Sequence, residues 1–261
     1  MEIQIKKAVK AGNSSAVILP RAWLNKEVRI ELVKKTPEVI LTDSLEILRK
    51  HIPLKSVIGI YLVGSYARGE ENEGSDIDLM VITDDIDREI ISEGVYNILI
   101  VSYQLIHQKL KENLFPVGQM IREAVPLLNE DYIKDIDVKV TKKNVKWYLD
   151  STKEKLKTIT DEIENAKKIK GKKYVSDRIA YTLVLRIRTL EIIKKILHNK
   201  KYSKREFVSL IRKVSGSDSA YEGYAAIKDN LEDESRIRID EAERLCDYLE
   251  DDLRKVSGML K

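Results

Sequence analysis

Residues 64–82 read GSYARGEENEGSDIDLMVI, and the way this stretch folds decides the architecture on either side of it. Val57, Ile58, Ile60, Tyr61, Leu62 and Val63 make an apolar run that ends at Gly64, the pattern of a strand buried on both faces. Gly64 and Ser65 then turn the chain into a short helix expected over residues 66–69. The first N–H groups of such a turn have no partner within it and suit a phosphate. Glu70, Glu71, Asn72, Glu73 and Gly74 form a polar loop, after which residues 75–82 return as an alternating strand. Residues two apart on a strand share a face, so Asp76 and Asp78 project together while Ile77 and Leu79 enter the opposite layer. Paired carboxylates repel one another unless a cation lies between them. Hard oxygen ligands beside a phosphate-binding turn favour Mg2+, which binds through one or two carboxylates plus substrate phosphates.

The Gly-Ser, ten residues, Asp-x-Asp spacing, with Ala67-Arg68-Gly69-Glu70 and Ser75 inside it, resembles the DNA polymerase beta-type nucleotidyltransferase superfamily. The likeness is greatest to its minimal archaeal and bacterial members and covers residues 45–137. It implies that Gly64 and Ser65 hold a nucleoside triphosphate (NTP), with Arg68 and Ser75 beside it. The same resemblance implies that Asp76 and Asp78 are the catalytic residues and ligate the metal ions. The implied reaction is in-line transfer of a nucleoside monophosphate to a hydroxyl acceptor, with pyrophosphate leaving. The superfamily adds a third carboxylate on a following strand, and here the sequence departs from it. The next strand, residues 94–102, carries no acid; Asn97 is the candidate by position, and Glu93 just ahead of the strand is the alternative in another register.

Around this core, Asp43 or Ser44 is expected to cap a helix reaching about His51, with residues 36–42 as a connector. Ser102 caps a helix over 103–113, a short helix covers 116–123, and 124–128 make a final strand before an acidic turn at Asn129-Glu130-Asp131. From about Thr141 the pattern is helical. Val145, Leu149, Thr152, Leu156, Ile159, Ile163 and Ala166 follow a three-four spacing, which Gly171 ends. Ile179, Leu183, Ile187, Leu190, Ile193 and Leu197 stripe a more apolar central helix, and Ala242, Leu245, Cys246, Leu249, Leu253 and Val256 stripe the last. Ser203 to Glu206 has capping-box spacing, and Asp240 to Glu243 resembles it. A helical bundle after this core resembles the C-terminal domains of kanamycin nucleotidyltransferase-like proteins and HEPN bundles. The close Arg-to-His motif of HEPN ribonucleases is missing, since His198 lies ten residues after Arg188. Arg178, Arg186 and Arg188, with Tyr221 and Tyr224, are candidates to line an acceptor or nucleotide cleft.

Charge singles out the N-terminus. Residues 1–36 hold Lys6, Lys7, Lys10, Arg21, Lys26, Arg29, Lys34 and Lys35 against Glu2, Glu27 and Glu31, a balance of +5 where the whole chain carries +4. So concentrated a basic segment suits a polyanion. Strands are expected at 3–7, 16–19 and 28–33, with turns at Gly12-Asn13-Ser14 and Asn25-Lys26. Some 35 residues cannot bury a core alone. The run 10–21, KAGNSSAVILPR, resembles the AbrB/SpoVT-type swapped-hairpin DNA-binding fold. That likeness implies a homodimer and DNA contacts through Lys6, Lys7, Lys10 and Arg21.

The single cysteine, Cys246, excludes an internal disulfide, and no Cys/His cluster suits zinc. No long apolar run indicates a signal peptide or a membrane span, so a cytoplasmic protein is expected. The Lys-, Glu- and Ile-rich composition hints at a thermophile. The expected class is α+β: an AbrB-like β module (1–42), a nucleotidyltransferase domain with a small mixed sheet (43–138) and a helical bundle (139–261). The leading function is metal-dependent nucleotidyl transfer; the alternative is a DNA-binding regulator or antitoxin-like protein with a catalytically inactive nucleotidyltransferase core.

Overall fold

The computed structural model describes all residues except 1–3, 5, 7, 31–34, 73 and 261. They form two compact units, residues 1–108 with 123–137 and residues 109–122 with 138–261.

In the first unit a small antiparallel hairpin joins β1 (Val9–Ala11) to β2 (Ser14–Ala16). Gly12 makes its turn with φ +60, a conformation open to a residue without Cβ. The expected strand at 16–19 is not formed beyond Ala16, and described residues 4, 6 and 28–30 are not in strands; Lys7 and residues 31–33 lie outside the described residues. Ile18, Leu24 and Ile30 are 71%, 72% and 67% exposed, so nothing within the described chain buries the apolar sides such strands would need.

Helix α1 (Pro37–Leu48) begins well before the expected Asp43 or Ser44 cap. Proline at the first helical position, behind a Thr36 side chain that accepts from the Val39 N–H, makes a better start than either. Asp43 instead accepts a hydrogen bond from the Tyr96 hydroxyl at 2.7 Å. Strand β3 (Val57–Val63) leads into α2 (Gly64–Arg68), and β4 (Ile77–Thr83) follows the polar loop. A strand the sequence did not reveal, β5 (Arg88–Glu93), turns at Gly94 (φ +65) into β6 (Tyr96–Ser102). Then come α3 (Tyr103–Glu112), whose Leu105 N–H is capped by the Ser102 hydroxyl, α4 (Val117–Glu123), β7 (Val125–Leu128) and α5 (Glu130–Lys134). The expected acidic turn is this last helix, capped by the Asn129 side chain.

The sheet order is β5-β6-β4-β3-β7, with β4 and β6 parallel and the other pairs antiparallel. Ile60, Leu62, Ile77, Leu79, Val81, Ile98 and Ile100 meet Ile40, Ile47 and Leu48 of α1 in one buried cluster. Tyr61, Val63, Met80 and Ile82 are buried as well, which explains the nearly unbroken apolar run of β3. The same alternation that drives Ile77 and Leu79 into the core leaves Asp78 half-buried on the other side.

The second unit is helical: α6 (Lys142–Lys168), the two-residue β8 (Tyr174–Val175), α7 (Asp177–Leu197), α8 (Lys204–Ser215), α9 (Ser219–Lys228), β9 (Ile237–Arg238), which pairs with β8, and α10 (Ile239–Met259). Thr141 and Asn144 form a capping box for α6, and Ser203 caps α8 through the Glu206 N–H. The box expected at Asp240 is displaced: the cap is Arg238, whose N–H is taken by Glu241, and Asp240 falls in the first turn. The apolar stripes of α7 and α10 form the core, and burial pushes the Cys246 thiol up to about 12. Among the described residues no helix is long and apolar enough to cross a membrane.

Fully buried Asp177 organises one end of this unit. Its carboxylate accepts the N–H groups of Glu234 and Arg236 and the Arg236 guanidinium at 2.5 Å, while the Asp233 carboxylate takes the Asp177 N–H. Gly223 must lack a side chain here, because a Cβ would lie 2.8 Å from Asp177 Oδ1. Asp177→Ala removes a fully buried acceptor from the half-buried Arg236 guanidinium and two N–H groups, so the unfolding free energy of the full chain in urea falls by about 3 kcal/mol. Asp177→Asn, which keeps one oxygen, falls by less.

Candidate nucleotidyl-transfer site

The site lies within the first unit, where β3 ends in α2 and β4 begins. Gly64 adopts φ +71, and a Cβ placed on it would stand 2.4 Å from Asp78 Oδ2. Turn and carboxylate are therefore in direct contact, and both the backbone angle and the space demand glycine. Opposite them in the ladder, Val63 pairs with Asp78. Ser65 follows half-buried; its hydroxyl has no partner among the described residues, and its carbonyl closes the turn by accepting the Glu70 N–H at 2.9 Å.

Asp76 is exposed just ahead of β4, and Asp78 is half-buried two residues on. Burial pushes the Asp78 carboxyl above the usual aspartate range; a hydrogen bond from Asn97 opposes this, and the charges of Asp76 and Glu123 reinforce it. A site whose own charges resist ionisation is suited to a cation, which relieves the repulsion.

Asn97 stands directly beside Asp78, because β4 and β6 are parallel and pair Asp78 with Asn97. The Ser92 hydroxyl of β5 donates to Asn97 Oδ1 at 2.8 Å. That contact leaves the amide nitrogen to donate to Asp78. In this orientation Asn97 supports the Asp78 carboxylate, and its own oxygen is taken by Ser92. Glu93, the alternative, closes β5 and forms an ion pair with Lys50 at 2.6 Å. Ser75 turns into the preceding loop, accepting the Asn72 N–H at 2.9 Å and donating to Asn72 Oδ1.

Arg68 is held between two carboxylates, its Nε on Glu70 at 2.8 Å and its Nη1 on Glu123 at 2.6 Å. Burial works against its charge, but Glu123 and Glu70 outweigh it and keep the guanidinium above its ordinary pKa. Glu123, at the end of α4, is the residue the sequence reading missed. Its other oxygen accepts the Gly64 N–H at 2.9 Å, so one buried carboxylate ties the turn to Arg68. No periodicity or motif marks Glu123; only the return of the chain at β7 beside β3 brings it there. Among the described residues no group of three or more His, Cys, Asp or Glu is arranged to hold a metal.

Of the basic residues expected on DNA, Lys6, Lys10 and Arg21 are exposed, Lys10 on β1 and Arg21 at the start of a single 3-10 turn; Lys7 lies outside the described residues.

Comparison with known proteins follows from this geometry. The family described as "Nucleotidyltransferase domain" matches residues 41–255. No curated protein matches the chain at a significant level. Among solved structures, a spectinomycin adenyltransferase AAD(9) from Enterococcus faecialis, crystallised with ATP and spectinomycin, is similar at 14% identity, covering 82% of this chain and 98% of that one, with a TM-score of 0.44. A nucleotidyltransferase-like protein from Exiguobacterium sibiricum 255-15 is similar at 14% identity, over 82% and 73% of the two chains, with a TM-score of 0.36. Because the family match runs from within α1 to near the end of α10, the chain belongs to the nucleotidyltransferase domain family, and its reaction class is nucleotidyl transfer.

Proposed function

We propose that the chain transfers a nucleoside monophosphate from an NTP to a hydroxyl acceptor with the help of Mg2+. The observation that supports this reading is the close approach of the Gly64 backbone to Asp78, which sets the Gly64–Ser65 turn against the Asp76 and Asp78 carboxylates. In the transfer, the acceptor oxygen bonds to the α-phosphorus, the bond from that phosphorus to the bridging oxygen of pyrophosphate breaks, and the acceptor loses its proton. Nucleotidyltransferases of this family generally use a divalent metal; bound by Asp76 and Asp78, Mg2+ would neutralise phosphate charge and lower the pKa of the attacking hydroxyl. The Ser65 hydroxyl hydrogen-bonds a phosphate oxygen. Asn97 holds the Asp78 carboxylate in place, while Glu123 fixes the Gly64 turn and Arg68, whose guanidinium offsets the Glu70 and Glu123 charges beside the turn.

Isothermal titration of each NTP with Mg2+ tests this reading. The wild-type chain binds at least one NTP only when metal is present, and the Asp76→Ala, Asp78→Ala double variant weakens that binding at least about 100-fold. Absence of metal-dependent binding in the wild type would remove the reading.

A second measurement follows from the raised Asp78 pKa. A carboxyl whose pKa is raised on folding contributes stability that is fully present below its unfolded pKa and is lost as pH rises through the folded value. At neutral pH the ionised group therefore opposes folding. In EDTA, Asp78→Asn raises Tm by about 1–3 °C, and the gain shrinks as pH falls toward 4; the same variant abolishes transfer.

We further propose that the hairpin β1–β2 and its flanks serve as an AbrB-like module that pairs with a second copy and contacts DNA. Exposed Lys10 and Arg21 beside unburied Ile18 and Leu24 support this reading. Binding of the full chain to duplex DNA, measured over a range of salt, weakens as salt rises, and Lys10→Ala with Arg21→Ala reduces the log-log slope by about 2.

A further inference from the structure

Arg186 is the one of the three central-helix arginines whose charge is taken into the second unit without a matching acid. It lies half-buried on α7, facing α6. Its Nη1 donates to the Ser151 hydroxyl at 2.9 Å, and its Nε is sealed from solvent with no hydrogen-bond partner. No carboxylate among the described residues pairs with it, and burial holds its pKa below the ordinary arginine value. Other cations of this unit are matched: Lys194 by Asp252 at 2.7 Å, Arg236 by Asp177 at 2.5 Å and Arg244 by Asp240 at 3.0 Å. Arg178 sits exposed near Asp233, and Arg188 lies over the Tyr202 ring at 5.4 Å.

A guanidinium taken out of water without an anion is unfavourable, and proteins that keep one there supply the anion from elsewhere. The neighbours of Arg186 can share that anion. The Ser151 hydroxyl donates only weakly to the Tyr148 carbonyl, at 3.4 Å, and the Tyr148 hydroxyl donates weakly to the Phe115 carbonyl, at 3.3 Å, beside a hydrogen bond with the Asn113 side chain. Both hydroxyls can rotate onto a better acceptor. Tyr148 is also packed edge-on by Phe115 and by Trp147, each with ring centroids 4.9 Å away. Trp147 is 64% exposed, so the aromatic cluster around Tyr148 reaches the surface.

We propose that Arg186, with Ser151 and Tyr148, forms a binding site for a phosphate group on the helical unit, and that Trp147 packs against the organic part of the molecule that bears it. One guanidinium and two hydroxyls are donors of different direction, which suits a tetrahedral oxyanion better than a planar carboxylate. The site uses none of the first-unit residues given a role in nucleotidyl transfer and does not depend on those roles.

The test uses inorganic phosphate with the full chain in EDTA at constant ionic strength, read by calorimetry and by Tm. Wild type binds phosphate, and its Tm rises with phosphate concentration as linkage requires. Arg186→Gln weakens binding at least about tenfold and loses the phosphate-dependent rise, while its Tm without phosphate is unchanged or higher, since an unmatched charge has been removed. Ser151→Ala, a milder change should the first variant fail to fold, weakens binding by about threefold or more. Phosphate held instead at the Gly64–Ser65 turn would bind Arg186→Gln and Ser151→Ala as tightly as wild type, and that outcome overturns the site. So does wild-type protein that binds no phosphate. A phosphate-free Tm that drops in Arg186→Gln while phosphate still raises it by the wild-type amount would make Arg186 a packing residue, and overturns the site as well.

Discussion

The close approach of a main chain to a carboxylate, Gly64 against Asp78 with no room for a Cβ, constrains much of the first unit. It requires β3 and β4 to be antiparallel neighbours in a register that sets Val63 across from Asp78. It requires the turn after β3 to pass through positive φ, which glycine alone adopts without strain. It also concentrates negative charge at one point, because Asp76 and Glu123 add to the field at Asp78. The surrounding contacts read as responses: Asn97 donates to Asp78, Arg68 is drawn to Glu123, and Glu123 grips the Gly64 N–H.

This arrangement gives the fold a stability that is spent at the site and recovered in the layers around it. Ile77 and Leu79 are fully buried one step from each aspartate, so strand alternation couples core formation to the placement of the acids. A slip of one residue would bury the aspartates and expose the isoleucine and leucine. The strength of the core on one face thus enforces the geometry of the charged group on the other.

The second unit handles charge differently. Asp177, Asp252 and Lys194 are buried or half-buried and matched by opposite charges, which fixes how its helices and the loop before β9 meet. Burying such groups is favourable only when their partners are complete. Arg186 departs from that pattern, and a departure from pattern in a well-packed unit points toward a ligand more than toward stability.

The sequence by itself determined the elements whose signals are local: the apolar run of β3, the Gly-Ser turn, the alternation of β4 and the three-four stripes of α6, α7 and α10, all of which depend on near neighbours in the chain. The spacing of Asp76 and Asp78 is local for the same reason, two residues apart in the chain, although β4 begins at Ile77 and leaves Asp76 just ahead of it. The start of α1 was misread because proline at a first helical position looks like a breaker, and β5 was missed because its polar residues carry no strong period. Tertiary structure alone decided the rest. Only the parallel pairing of β4 with β6 sets Asn97 beside Asp78, only the packing of β7 on β3 carries Glu123 to Gly64, and only the meeting of α6 and α7 leaves Arg186 without an acid. These are contacts between residues far apart in the chain, specified by the burial of whole faces, and no local pattern of side chains records them.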